Sequence, residues 1–170
     1  MKAVGAVLLV CACTLFGIGQ AKKLYLRRSC LAGTLDALRF IGAELKNGAV
    51  PIPEIFAELR RLPDTVMHGF FETLCSKMDG IGDESLSEIW SGCVMNDRTI
   101  SLSQRQRQEL SRLGPYLGRY SETEQSDAIS ACAEHLEAEL IRSSEKAREG
   151  AKLFTGLGLT LGLMLAAVLL

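Results

Sequence analysis

The chain has 170 residues, 48% of them hydrophobic, with 19 Lys and Arg against 20 Asp and Glu and a net charge of −1. That balance excludes general attraction to nucleic acid, which rests on neutralising phosphates. It also hides an uneven distribution, because residues 3–21 and 153–170 contain no Asp, Glu, Lys or Arg. As helices rising 1.5 Å per residue, these segments nearly cross a hydrocarbon layer of roughly 30 Å. The expected organisation is a transmembrane helix over 1–21, one polar domain over 22–152 and a second transmembrane helix over 153–170.

The basic residues beside the apolar segments set the orientation. Lys22, Lys23, Arg27 and Arg28 follow the first, and Lys146, Arg148 and Lys152 precede the second. Lys and Arg near span ends favour the cytoplasmic side, so the domain is expected to face the cytoplasm. The competing reading is a secreted or lipid-anchored protein. It makes residues 1–21 a signal peptide cleaved after Gly19-Gln20-Ala21, or takes Val10-Cys11-Ala12-Cys13 as a lipidation site. Four basic residues directly after the apolar run oppose it.

Within the domain every segment reads as helix. Leu24, Leu31, Leu35, Leu38 and Leu45 recur at helical spacing up to Asn47-Gly48, a stop signal. No breaker separates this helix from the first apolar segment, so one continuous helix is expected. Pro51 and Pro53 introduce a short helix over 54–62. Pro63-Asp64 caps the next, over 65–78, with Val66, Phe70, Phe71 and Leu74 on its core side. The turn at 79–82 leads to Asp83, expected to cap a helix that runs to Met95 through Leu86, Ile89 and Trp90.

Ser101-Leu102-Ser103-Gln104 fits a capping box ahead of a helix through Leu110 and Leu113, which Pro115 should interrupt. Ser121-Glu122-Thr123-Glu124 is another such box, opening a helix with Ile129, Ala133, Leu136 and Leu140 on one face. Sustained period-two patterning is missing. The fold class expected is therefore all-α, an antiparallel bundle of about six helices between the two membrane helices.

Catalytic patterns are lacking. There is no G-x-x-x-x-G-K-[ST] to cradle a phosphate, so no nucleotide chemistry, cofactor or catalytic residue is assigned. His135-Leu136-Glu137 matches half of a zinc-deaminase signature without its P-C-x-x-C half. The pairs Cys132/His135 and His68/Cys75 fall short of the three or four ligands that zinc requires. A membrane-bound thiol or metal sensor built on Cys75, Cys93, Cys132 and the histidines stays as a lesser alternative. The cysteines read better as small buried apolar residues. Gly158 and Gly162 form a G-x-x-x-G, a helix-packing face within the second span or simply lipid-facing glycines.

Leu113-Gly114-Pro115-Tyr116-Leu117-Gly118, with Gln125 seven residues on, is more distinctive. Glycines four apart allow a helix backbone to approach closely. With the two flanking apolar segments, this motif resembles stage III sporulation protein AB of endospore-forming bacteria. That family shows a similar [FL]-G-x-x-L-G followed by Gln, between terminal membrane helices. The correspondence extends through the basic leucine-patterned helix, Phe70-Phe71 and Trp90. Ser121 stands where the family often has Asp, and Pro115 is unusual.

The resemblance implies a platform subunit, in the mother-cell-side membrane, of a secretion-like channel complex between mother cell and forespore. Its domain would be similar to the F-type platform domain of type II secretion and type IV pilus machines. The implied partners are a cytoplasmic ATPase similar to stage III sporulation protein AA, other membrane subunits of the complex and membrane lipids, but no nucleic acid. Glu84 and Glu88, at the expected cytoplasmic tip, are the candidate partner surface.

Overall fold

A computed structural model describes the backbone of residues 2–47, 50–62, 66–80 and 84–142, and their side chains except at 2–18, 20 and 21. Every element among the described residues is helical. The first, α1, runs unbroken from Lys2 to Asn47, so the apolar and leucine-patterned segments share one helix. Among the described residues no helix is long and apolar enough to cross a membrane. The side chains of the first expected span and all of the second, Gly158 and Gly162 included, lie outside the described residues. Contacts divide the chain into two compact units, Ser29–Leu140 and a second made of Met1–Arg28 with Ile141–Leu170.

In the first of these units, α2 (Ile52–Arg60), α3 (His68–Asp79), α4 (Leu86–Asn96) and α5 (Gln104–Ser111) follow α1. A 3-10 turn (Gly114–Tyr116) comes next, and α6 spans residues 122–142. Helix α2 packs on α3, α3 on α4, and α4 on both α5 and the 3-10 turn.

Several boundaries differ from the expected ones, each for a local reason. Helix α2 begins at Ile52, two residues early, because Pro53 sits in the first turn, where its missing N–H has no helical acceptor to lose. Helix α3 begins at His68 rather than 65. Val66 is therefore 50% exposed outside the helix, and Met67 takes the buried position instead. Pro63, Asp64, Thr65 and Asp83 lie outside the described residues.

Helix α4 is capped by Ser85, which forms a full capping box with Glu88. The box before α5 is Ser103 with Gln106, not Ser101 with Gln104. Ile100 and Leu102 are buried while Ser101 and Ser103 are exposed, so the chain enters α5 extended and the helix starts two residues later.

The core gathers Leu31, Leu35, Leu38, Ile41 and Leu45 of α1 with apolar residues of every later helix. Leu24 is only half-buried and belongs to the other unit. At the centre Trp90, 2% exposed, stacks on Phe56 at 5.6 Å and meets Phe70 edge-on at 5.7 Å. Ile129, Ala133 and Leu136 of α6 are buried, with Leu140 packed on the core's margin. Helix α6 lies directly on α1. Ser126 Oγ donates to the Gly42 carbonyl oxygen at 3.2 Å, and Arg39 pairs with Glu137 at 2.8 Å.

One residue organises the passage from α4 to α5. The Arg107 guanidinium donates to the carbonyl oxygens of Val94 (2.6 Å), Ile100 (2.6 Å) and Leu102 (3.4 Å). Val94 lies in the last turn of α4, where carbonyls have no helical donor and a cation offsets the helix dipole. Arg107→Ala is expected to lower stability by about 1.5–3 kcal/mol, the range for hydrogen bonds to charged groups. Lysine should recover only part, lacking the planar fork that reaches three acceptors. Denaturation midpoints of the two variants decide this, and full recovery by lysine would show that charge alone suffices.

Candidate functional site

The motif from Leu113 to Gln125 folds into a bent connection between α5 and α6. Helix α5 ends at Ser111, and Trp90 Nε1 donates to the Leu110 carbonyl oxygen at 2.7 Å. Pro115 then sits in the first turn of the 3-10 segment, so the interruption is a tight turn rather than a kinked helix. Leu113 and Leu117 are buried beneath it.

The two glycines do different work. Gly114 is buried against α4, and a Cβ there would lie 2.8 Å from Ser91 Oγ, 3.0 Å from the Ser87 carbonyl oxygen and 3.1 Å from Ser87 Oγ. This is a close approach to a helix backbone. Gly118 is instead exposed and left-handed, with φ of +74°, a conformation that glycine adopts without steric cost. A Cβ on it would meet the Leu86 side chain at 3.3 Å, so this bend lies beside the start of α4.

Gln125, 6% exposed in the first turn of α6, holds the bend from beneath. The Gly118 N–H donates to its Oε1 at 3.2 Å, and its Nε2 donates to the Tyr120 carbonyl oxygen at 2.6 Å. A side-chain amide thus replaces the backbone pairing that a loop lacks. Ser121 and Glu124 complete the junction with a reciprocal capping box.

Above the bend Tyr116 and Tyr120 remain exposed, their rings 5.4 Å apart. The α4 N-terminus lies beside the Gly118 bend, through Leu86. There Glu84 is exposed, and Glu88 accepts from both the Ser85 N–H and hydroxyl at 2.8 Å. Those two bonds hold the Glu88 carboxyl below the usual carboxylate range. Its capping contribution is therefore complete at neutral pH and is lost as pH falls through that lowered value. Glu88 is a helix cap first, which leaves Glu84 as the cleaner probe of a partner surface.

Neither metal pair gathers ligands. Cys132 is buried and its thiol donates to the Glu109 carbonyl oxygen at 3.8 Å, whereas His135 faces solvent. Among the described residues no three His, Cys, Asp or Glu come together as a metal set. Cys30, Cys75, Cys93 and Cys132 are all buried free thiols. Burial raises the pKa of each, and that of Cys132, with help from nearby Glu109, to about 11. Such thiols are poor nucleophiles.

An open groove of about 440 Å³ beside α1 is lined by Gly33, Asp36 and Phe40 of that helix and by Leu59, Leu62, Val66 and Phe71 among others. Its lining residues include no histidine, cysteine or basic side chain.

The sequence left two positioning features unread. Ser87 and Ser91, four apart on α4, form the small-residue face that receives Gly114; that spacing was visible. Arg107 carried no such signal, because its acceptors are main-chain carbonyls that no residue type announces. A family profile described as stage III sporulation protein AB matches residues 2–170. No curated protein and no solved structure matches the chain. With the whole chain from Lys2 matched, this protein belongs to the stage III sporulation protein AB family.

Proposed function

We propose that this sporulation protein is a membrane-anchored platform subunit of a secretion-like channel complex between mother cell and forespore. Its helical domain faces the cytoplasm and docks a separate ATPase similar to stage III sporulation protein AA. The observation that carries this reading is the continuity of α1, whose apolar first half and core-forming second half are one helix. A helix without a break supports the reading of a domain joined to an anchor with no flexible linker between them. A chain without a phosphate-cradling loop suits a subunit that leaves nucleotide chemistry to a partner.

Orientation has a direct test. Ser76 is exposed at the end of α3, while the four domain thiols are buried with raised pKa values. In a chain with Cys11 and Cys13 replaced, Ser76→Cys should resist an impermeant maleimide in intact cells and label once they are opened. Labelling in intact cells would favour the secreted or lipid-anchored alternative.

Docking is best sought at exposed Glu84, the candidate read from the sequence, and at the exposed Tyr116–Tyr120 pair, since exposed aromatics are enriched in interfaces. Glu84→Lys should slow association with the ATPase, most strongly at low salt, without loss of the chain from membranes. Sporulation should then stall after engulfment. Unchanged co-purification with normal spores would move the docking site to another face, and failure of the native chain to co-purify with any ATPase would overturn the platform reading.

A further inference from the structure

The first acidic residue of the chain is Asp36; before it stand Lys2, Lys22, Lys23, Arg27 and Arg28, all of one sign. Four of these five fall within residues 22–28 of α1, just after the apolar stretch. Lys22, Lys23, Arg27 and Arg28 are all exposed, and they span nearly two helical turns, so they point to different sides of the helix. Between them Tyr25 is 71% exposed and Leu26 48%. Among the described residues none of the four cations enters an ion pair.

A solvated helix face in this protein looks different. In residues 29–140 exposed charges of both signs are interspersed, and Arg39, Arg60, Arg105 and Arg112 each have a carboxylate partner. Cations such as Lys46, Arg61 and Lys77, without an ion pair among the described residues, lie among acidic residues in sequence. Residues 22–28 instead combine unopposed cations with exposed aromatic and aliphatic side chains. That composition suits the boundary between hydrocarbon and headgroups, where tyrosine is enriched and basic side chains reach phosphate. Seven residues rise about 10 Å, comparable to the headgroup layer of roughly 5–8 Å that separates hydrocarbon from water on one side of a bilayer.

We infer that residues 22–28 form a collar that binds anionic phospholipid headgroups, with Tyr25 and Leu26 seated at the acyl boundary and Lys22, Lys23, Arg27 and Arg28 on the phosphates. The inference rests on the membrane-anchored reading and adds a lipid class to it. The collar selects anionic over zwitterionic lipid and keeps α1 at a fixed depth. Each cation near an anionic surface contributes about a fivefold preference.

The chain's one tryptophan, Trp90, lies buried in the domain core, so a tryptophan placed in the collar reports separately. Full-length Tyr25→Trp protein would be reconstituted into phosphatidylcholine vesicles containing either dibrominated phosphatidylglycerol or dibrominated phosphatidylcholine at equal fraction. Quenching of the added fluorescence should be several-fold stronger with the brominated phosphatidylglycerol. Replacing Lys22, Lys23, Arg27 and Arg28 by Gln together should abolish that difference while vesicle flotation persists.

Equal quenching by the two lipids, with flotation intact, overturns the inference but leaves the membrane reading standing. A chain that does not float with vesicles overturns both. Binding of a labelled oligonucleotide by the detergent-solubilised chain, lost in the four-Gln variant and tighter than its hold on phosphatidylglycerol micelles, would assign the collar to a soluble polyanion and also overturn it.

Discussion

Trp90→Ala should cost about 3–5 kcal/mol, a large share of the roughly 5–15 kcal/mol that holds a typical domain folded. The indole contacts Phe56 of α2 and Phe70 of α3 while its N–H reaches the end of α5, so one side chain ties α4 to three other helices. Truncation opens a cavity among them and leaves the Leu110 carbonyl without its donor. Trp90→Phe is the milder change. It keeps one aromatic ring in the core and removes the pyrrole part of the indole with its N–H, for an expected loss of about 1–3 kcal/mol. Thermal unfolding followed by helical circular dichroism measures both. A Phe variant that melts with the native chain would mean that neither the Leu110 bond nor the lost ring volume contributes measurably.

The second large effect lies at Gly114. Even Gly114→Ala places a methyl 3.0 Å from the Ser87 carbonyl oxygen, which is helix backbone and cannot rotate aside. Overpacking of this kind costs about 1–3 kcal/mol, or a fall of roughly 4–15 °C in melting temperature for a domain of this size. Ser91→Ala should relieve only the contact with Ser91 Oγ, so the double variant is expected to regain part of the loss. Gly118→Ala fails for another reason: the left-handed backbone costs an L-residue about 1–2 kcal/mol, and Gly118→Asn should be milder. If Gly114→Ala were neutral while Gly118→Ala was not, the close approach of the 3-10 turn to α4 would be wrong.

Most helices were legible because their signals are local. The leucine spacing of α1, the prolines at the start of α2 and the Ser121–Glu124 box each need only a few neighbouring residues to be read. Misreadings arose where two local signals competed. Ser101 and Ser103 each precede a glutamine by three residues, and only the burial of Ile100 and Leu102 decides between them. Val66 carried an apolar identity into a position just outside α3, and sequence periodicity cannot reveal where a first turn begins. In the motif, the glycine spacing pointed to close packing but could not separate a steric requirement at 114 from a conformational one at 118. Glu88 looked like a free surface charge until its bonds to Ser85 were seen.

The hydrogen bond from Ser126 to Gly42 joins residues 84 positions apart. During synthesis, therefore, α1 leaves the ribosome well before α6 exists to bring Ile129 onto the face around Gly42. At roughly 5–20 residues per second, that face waits about 4–17 s for its partner. Helices α2 to α5 can assemble on α1 in that interval, but the domain closes only when its last helix arrives. A nascent chain stalled before residue 126 would present Leu38, Gly42 and Ala43 without their final cover, an open apolar strip of the kind that chaperones and proteases engage.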